Sequence, residues 1–199
     1  MDITYYFDEK RKNGQKSVDL LIPILNDTYK NAQFERVDNG GDADRKFSID
    51  IKVDFPDRTE TWASKIREPY SRNFDDITVE IMNGDKTKGD FYRFKGGIIS
   101  KYIYGWRENK TFYDLYICNA EKLVSIPISF WKGNIKKDFP GIGTVDCYQN
   151  GKYGKSWFTA MNIVDLQKIF PNVIEDILNK NWAPSPSDFN FNQKTLFGE

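Results

Sequence analysis

Apolar residues between positions 17 and 29 fall at helical spacing, with Val18, Leu21, Ile22 and Leu25 along one side. Such a stripe predicts an amphipathic helix. Ser17 stands where it would cap the first turn, and Pro23 predicts a kink or a late start. Residues 34–37 read as a short strand, and 38–42 (DNGGD) as a turn. From 47 to 53 polar and apolar residues alternate, the period of a strand with one buried face. Residues 55–58 turn the chain, and 60–66 are expected to return antiparallel to it. Further strands follow at 77–81, stopped by Asn83-Gly84-Asp85, and at 112–117. Residues 163–178 carry apolar positions at helical intervals, interrupted by Pro171. Helix, strands, a mixed middle and a closing helix predict an α/β (α+β) domain: a mixed β-sheet flanked by helices. At Trp182 the composition changes to a Pro/Ser-rich stretch and then a short tail. The expected organisation is a domain over 1–181 and an exposed tail over 182–199.

Composition narrows the chemistry. With 199 residues, 39% of them hydrophobic, the chain can bury a proper core. No apolar run approaches the length of a membrane span, so no membrane partner is expected. The first residues, Met1-Asp2-Ile3-Thr4, lack the basic flank and apolar stretch of a secretory leader. Two cysteines are too few for a disulfide framework, and a reduced, cytoplasmic protein is the expectation. The sequence contains no histidine. That removes histidine-based nucleophile systems, the histidine general base and the usual zinc sites. Enzymatic chemistry would have to come from carboxylates, lysines, tyrosines or a hard cation, and Mg²⁺ (with Mn²⁺ as a substitute) suits such an inventory. Basic and acidic residues balance at 29 each, so any nucleic-acid surface must be local.

Asp50 between Ile49 and Ile51, and Glu80 between Val79 and Ile81, are carboxylates in apolar settings. Each needs a cation, a metal or several hydrogen bonds if buried. Lys65, across the expected hairpin from Asp50, can answer that charge. The three strands could bring all three groups to one site.

On these residues the chain resembles the restriction-endonuclease-like PD-(D/E)XK nucleases, in particular small phage and bacterial members. The resemblance spans about residues 5–166. It includes an N-terminal helix, the turn into Ser48-Ile49-Asp50-Ile51, and the strand Trp62-Ala63-Ser64-Lys65 followed by Arg67. The 73–80 segment ending in Glu80, the Tyr102-Ile103-Tyr104 stretch and Val164-Asp165-Leu166 complete it. It implies Asp50 as first metal ligand and Lys65 as the lysine that orients the attacking water. Glu80 is similar to an acidic residue on the strand after the motif, and a second metal ligand. One position departs: the second acid of the motif is Ala63, and Ser17 stands where many relatives carry a helix glutamate. A methyl group cannot ligate Mg²⁺. Three readings of Ala63 stand: an acid migrated to Glu80 or Glu60, a natural inactive relative, or a substitution that traps a substrate complex.

Between Lys86 and Lys110 seven basic residues are interleaved with Tyr92, Phe94, Tyr102, Tyr104 and Trp106. Basic groups contact phosphates, and aromatics either stack on bases or pack a core. Taken with the motif, Arg67, Arg72, Arg93, Lys95 and Lys101 are the candidate DNA contacts. In the tail, Gln193-Lys194-Thr195-Leu196-Phe197 is similar to the peptide by which bacterial replication and repair proteins dock on the sliding clamp. Gln193, Leu196 and Phe197 would make that contact. The expected function is Mg²⁺-dependent hydrolysis of DNA, as an endo- or exonuclease. The alternative is a non-catalytic DNA- or replication-protein-binding module on the same fold, and a homodimer is compatible with either.

Overall fold

The computed structural model describes residues 3–37, 49–68, 71, 75–84, 87–150 and 156–178. The chain opens with a 26-residue helix, α1 (Ile3–Thr28). Strands β1 (Gln33–Arg36), β2 (Ile51–Asp54), β3 (Thr59–Arg67) and β4 (Asp76–Met82) follow. A short helix α2 (Asp90–Lys95) leads to β5 (Lys101–Glu108) and β6 (Thr111–Asn119). Helix α3 (Ala120–Val124), a 3₁₀ turn (Ile128–Phe130), β7 (Ile135–Phe139), β8 (Gly143–Asn150) and β9 (Ser156–Asn162) come next. Helix α4 (Ile163–Ile169) and strand β10 (Ile174–Leu178) complete the described elements.

Two sheets organise these elements. A six-stranded sheet has the order β1-β2-β3-β5-β6-β10, and a four-stranded sheet the order β4-β9-β8-β7. In the first, β3 and β5 are parallel and the other pairs antiparallel, so it is mixed. Alternation along each strand sends side chains to opposite faces. Trp62, Ile103, Leu115 and Ile117 pack with Val18, Leu21 and Leu25 of α1. Ala63, Tyr102, Tyr104 and Trp106 lie on the other face and belong to a second core cluster with Ile77, Val79 and Ile81 of β4 and Met161 of β9. The molecule is thus a mixed α/β fold with helices on a central sheet and a second sheet across its other face. Among the described residues, no helix is long and apolar enough to cross a membrane.

Several sequence expectations hold and others are corrected. The hairpin pairs β2 with β3 antiparallel, Ile51 opposite Trp62, and its turn closes with the Phe55 amide donating to the Arg58 carbonyl at 2.8 Å. The expected turn at 38–42 lies outside the described residues. Ser17 is not a cap, because α1 begins fourteen residues earlier. Its hydroxyl instead donates to the Asn13 carbonyl at 2.9 Å and accepts from Arg107 Nε at 3.1 Å. Pro23 lies inside the helix on an exposed position, where its missing N–H costs less. The expected helix over 163–178 stops at Ile169, and 174–178 form a strand on β6. Pro171 explains the break: it disfavours helical backbone at Phe170, whose ψ is 57°. Both cysteines are buried and free.

One glycine is required by close approach. A Cβ on Gly133 would lie 1.9 Å from the Cys147 amide nitrogen, and backbone atoms there cannot step aside as a side chain would. Gly133→Ala is expected to destabilise the fold by about 3 kcal/mol, at the upper end of overpacking costs. Thermal melting measures it.

Candidate functional site

The site grows from the β2–β3 hairpin. Asp50 lies one residue before β2: its carbonyl accepts from the Val37 amide at 3.0 Å in the β1–β2 register, and its amide donates to the Trp62 carbonyl at 3.1 Å, one residue out of the β2–β3 register. Its carboxylate is tied to the neighbouring strand. Asp50 Oδ2 accepts from the Ser64 amide at 2.6 Å and from Ser64 Oγ at 3.0 Å. The sequence reading has Lys65 answer this carboxylate, whereas Ser64, one residue earlier, supplies these two donors. An aspartate between isoleucines is tolerated here because strand and side-chain donors replace its water.

Alternation sets Ala63, Lys65 and Arg67 on the face of β3 that meets the second sheet. The parallel register pairs them with Tyr102, Tyr104 and Trp106. Ala63 is 3% exposed and belongs to the main core. Further along, Arg67 Nη1 donates to the Tyr104 hydroxyl at 2.8 Å and to Asp76 Oδ1 at 3.3 Å. The Tyr104 hydroxyl also lies 3.3 Å from Thr78 Oγ1, and the Tyr102 hydroxyl donates to the Thr78 carbonyl at 2.9 Å. Burial opposes the Arg67 charge, but the Tyr104 and Asp76 contacts outweigh it and raise its pKa. Burial raises the Asp76 carboxyl above its ordinary value, against the pull of Arg67 and then of Lys65. Burial likewise pushes the Tyr104 hydroxyl up, so it stays a neutral hydrogen-bonding group.

The placement of Glu80 differs from the simple picture of three neighbouring strands. It stands on β4, which pairs with β9 in the second sheet, opposite Phe158. Yet β4 crosses the Lys65 face of β3. Asp76 meets Arg67, and Thr78, two residues on, meets Tyr104 and Tyr102, the register partners of Lys65 and Ala63. These contacts give β4 a direction opposite to β3. Two further residues carry Glu80 onward in the direction that runs from Arg67 toward Ala63.

As for a cation, the described residues contain no group of three or more histidine, cysteine, aspartate or glutamate side chains fit to hold one. Asp50 and Glu80 are the carboxylates that the sequence reading assigns to the ion, and Ala63 adds no donor. Their chemistry fits Mg²⁺, which binds through one or two carboxylates and keeps several waters.

The candidate DNA contacts separate. Arg67 is half-buried beside Lys65. Arg93 is 8% exposed, with its guanidinium on Asp90 at 3.2 Å, so it is turned into the protein. Lys101 is paired with Glu175. Lys95 is exposed and donates to the Gly141 carbonyl at 2.8 Å. Arg72 lies outside the described residues, as do Gln193, Leu196 and Phe197. The aromatics of the basic middle are largely core: Phe94, Tyr102, Tyr104 and Trp106 are buried, with successive ring centroids 4.9, 5.9 and 5.5 Å apart. They are not a stacking platform for bases.

Sequence reasoning missed Ser64, Asp76, Thr78 and Tyr104. A signal for two of them was present: Asp76, Thr78 and Glu80 are alternate residues of one strand, and hence share a face. Compared with protein-family models, curated proteins and solved structures, the chain matches none.

Proposed function

We propose that the chain is a Mg²⁺-dependent deoxyribonuclease of the restriction-endonuclease-like PD-(D/E)XK type, hydrolysing phosphodiester bonds. The observation that carries this reading is the Asp50 carboxylate anchored on Ser64, the residue immediately before Lys65 on β3. Asp50 and Glu80 would hold the cation. When bound, Mg²⁺ lowers the pKa of a water and stabilises charge on the phosphate. Ser64 fixes the orientation of Asp50 by two donors. Lys65, on a four-carbon stem from a rigid strand, would orient the attacking water. Arg67 neutralises phosphate charge. The chemistry needs no histidine, in keeping with the composition. DNA is the proposed partner, and the pentapeptide from Gln193 to Phe197 adds a sliding clamp as a second one.

The test is cleavage of single-stranded, duplex and branched DNA with Mg²⁺ or Mn²⁺. Lys65→Ala is expected to slow cutting by about 100-fold or more, the scale for losing a group that stabilises the reacting centre. A chain that cuts none of these substrates sinks the nuclease reading. One observation favours a second reading, a DNA-binding module without catalysis: the motif's second acid is replaced by a methyl group inside the core. That protein would bind the same DNA and cut none of it.

A further inference from the structure

We infer that Arg67, with Lys65 beside it, is a preformed receptor for one phosphodiester group, and that Tyr104 and Asp76 are the positioning residues that aim its guanidinium. This rests on the nuclease reading for naming a nucleic-acid phosphate as the ligand, and on geometry for the receptor itself.

Both hydrogen bonds of the Arg67 guanidinium leave from one nitrogen, Nη1. Among the described residues, neither Nε nor Nη2 makes one. Those two nitrogens form the edge whose parallel N–H groups match two oxygens of a phosphate. The protein thus clamps one corner of the group and leaves the bidentate edge unengaged by its own described atoms. The clamp is stiff. Tyr104 is fully buried, and its hydroxyl, accepting from Arg67, can pass its own proton toward Thr78 Oγ1 at 3.3 Å. The Arg67 side chain retains 27% exposure, enough for a ligand to reach it. Rotamer freedom is given up in folding, so binding does not have to repay it.

Charge points to the same ligand. Lys65 and Arg67 are alternate residues on one strand face, their Cα atoms about 6.6 Å apart. Asp76 interacts with both. With Asp76 ionised the trio carries one net positive charge, the complement of a phosphodiester's single negative one. A lysine at position 67 would keep that charge and lose the fork, which separates geometry from simple electrostatics.

The experiment measures binding of a fluorescein-labelled single-stranded oligonucleotide by anisotropy, in EDTA so that cutting cannot contribute, across a salt series. Arg67→Lys is expected to bind about tenfold more weakly with an unchanged salt slope, because the charge remains. Arg67→Met should bind more weakly still, with the slope shallower by about one. Tyr104→Phe should weaken binding several-fold, also with the slope unchanged. An Arg67→Lys protein that binds as the parent does overturns the inference, and so does a parent that binds no oligonucleotide. Should the variants fail to fold, phenylglyoxal modification of the unaltered chain decides it. Oligonucleotide should slow modification at Arg67, located by peptide mass spectrometry, and an unchanged rate refutes the receptor. A chain that shows these effects but cuts no DNA keeps the receptor and loses the nuclease. A chain that cuts, with Arg67→Lys binding normally, does the reverse.

Discussion

Asp50→Asn is expected to reduce metal-dependent DNA cleavage by more than about 100-fold, beyond what loss of a mere supporting partner around a metal costs, while leaving the fold intact. The asparagine carbonyl oxygen can still accept from the Ser64 amide and hydroxyl, which lie 2.6 and 3.0 Å from the aspartate oxygen. The charge goes, and the second carboxylate oxygen becomes an amide nitrogen. Asp50→Ala makes the opposite contrast, because it also strips the Ser64 amide of its acceptor. An unsatisfied donor in a part-buried position costs about 2 kcal/mol, which for a protein of this size lowers the melting temperature by about 6 °C. Parallel melts and cleavage assays on the two variants therefore divide chemistry from structure. If Asp50→Asn cuts as fast as the parent, the carboxylate serves only to tie β2 to β3. If neither variant melts differently, the contact with Ser64 does not hold the hairpin.

Those two roles were unequally legible in the sequence. The hairpin was readable because alternation over 47–53 and 60–66 flanks a turn, and that order alone sets Asp50 near the middle of β3. What Asp50 touches was not readable. A register fixes which residues face one another, but a carboxylate has several donors within reach, and Ser64 takes it through both amide and hydroxyl. Glu80 illustrates a deeper limit. Its strand was recognised from local alternation, yet assignment to the second sheet depends on pairing with β9, some eighty residues later. Local pattern carries no information about such a partner. The closing helix failed for a similar reason. Apolar spacing over 163–178 fits a helix, but Pro171 and the free edge of β6 turn its second half into a strand. The aromatic stretch shows the converse: its alternation on β5 already implied that Tyr102, Tyr104 and Trp106 share a face, and the second sheet makes that face interior.

Ala63→Glu, which supplies the carboxylate that the nuclease reading finds missing, is expected to destabilise the metal-free protein by about 3 kcal/mol or more, since it combines overpacking with a buried charge. Ala63 is 3% exposed, opposite buried Tyr102 in the parallel register. The deficit has a pH signature. Burial raises the folded-state pKa of the introduced carboxyl above its unfolded value of about 4.3. The electrostatic part of the cost is then absent below that value and grows as pH rises through the folded-state pKa. Mg²⁺ supplies a second signature. If position 63 faces the cation, binding returns stability by mass action, about 2.7 kcal/mol when Mg²⁺ is at a hundredfold excess over its Kd. Melting curves with and without Mg²⁺ read this directly, and on the nuclease reading the unaltered chain should show a smaller response, because Asp50 and Glu80 alone would hold the ion more weakly. A variant that is destabilised equally with and without Mg²⁺ places Ala63 in the core and nowhere near a cation. A variant as stable as the parent in the absence of metal contradicts the burial itself. Restored stability together with faster cutting would identify Ala63 as the position where the motif lost its acid.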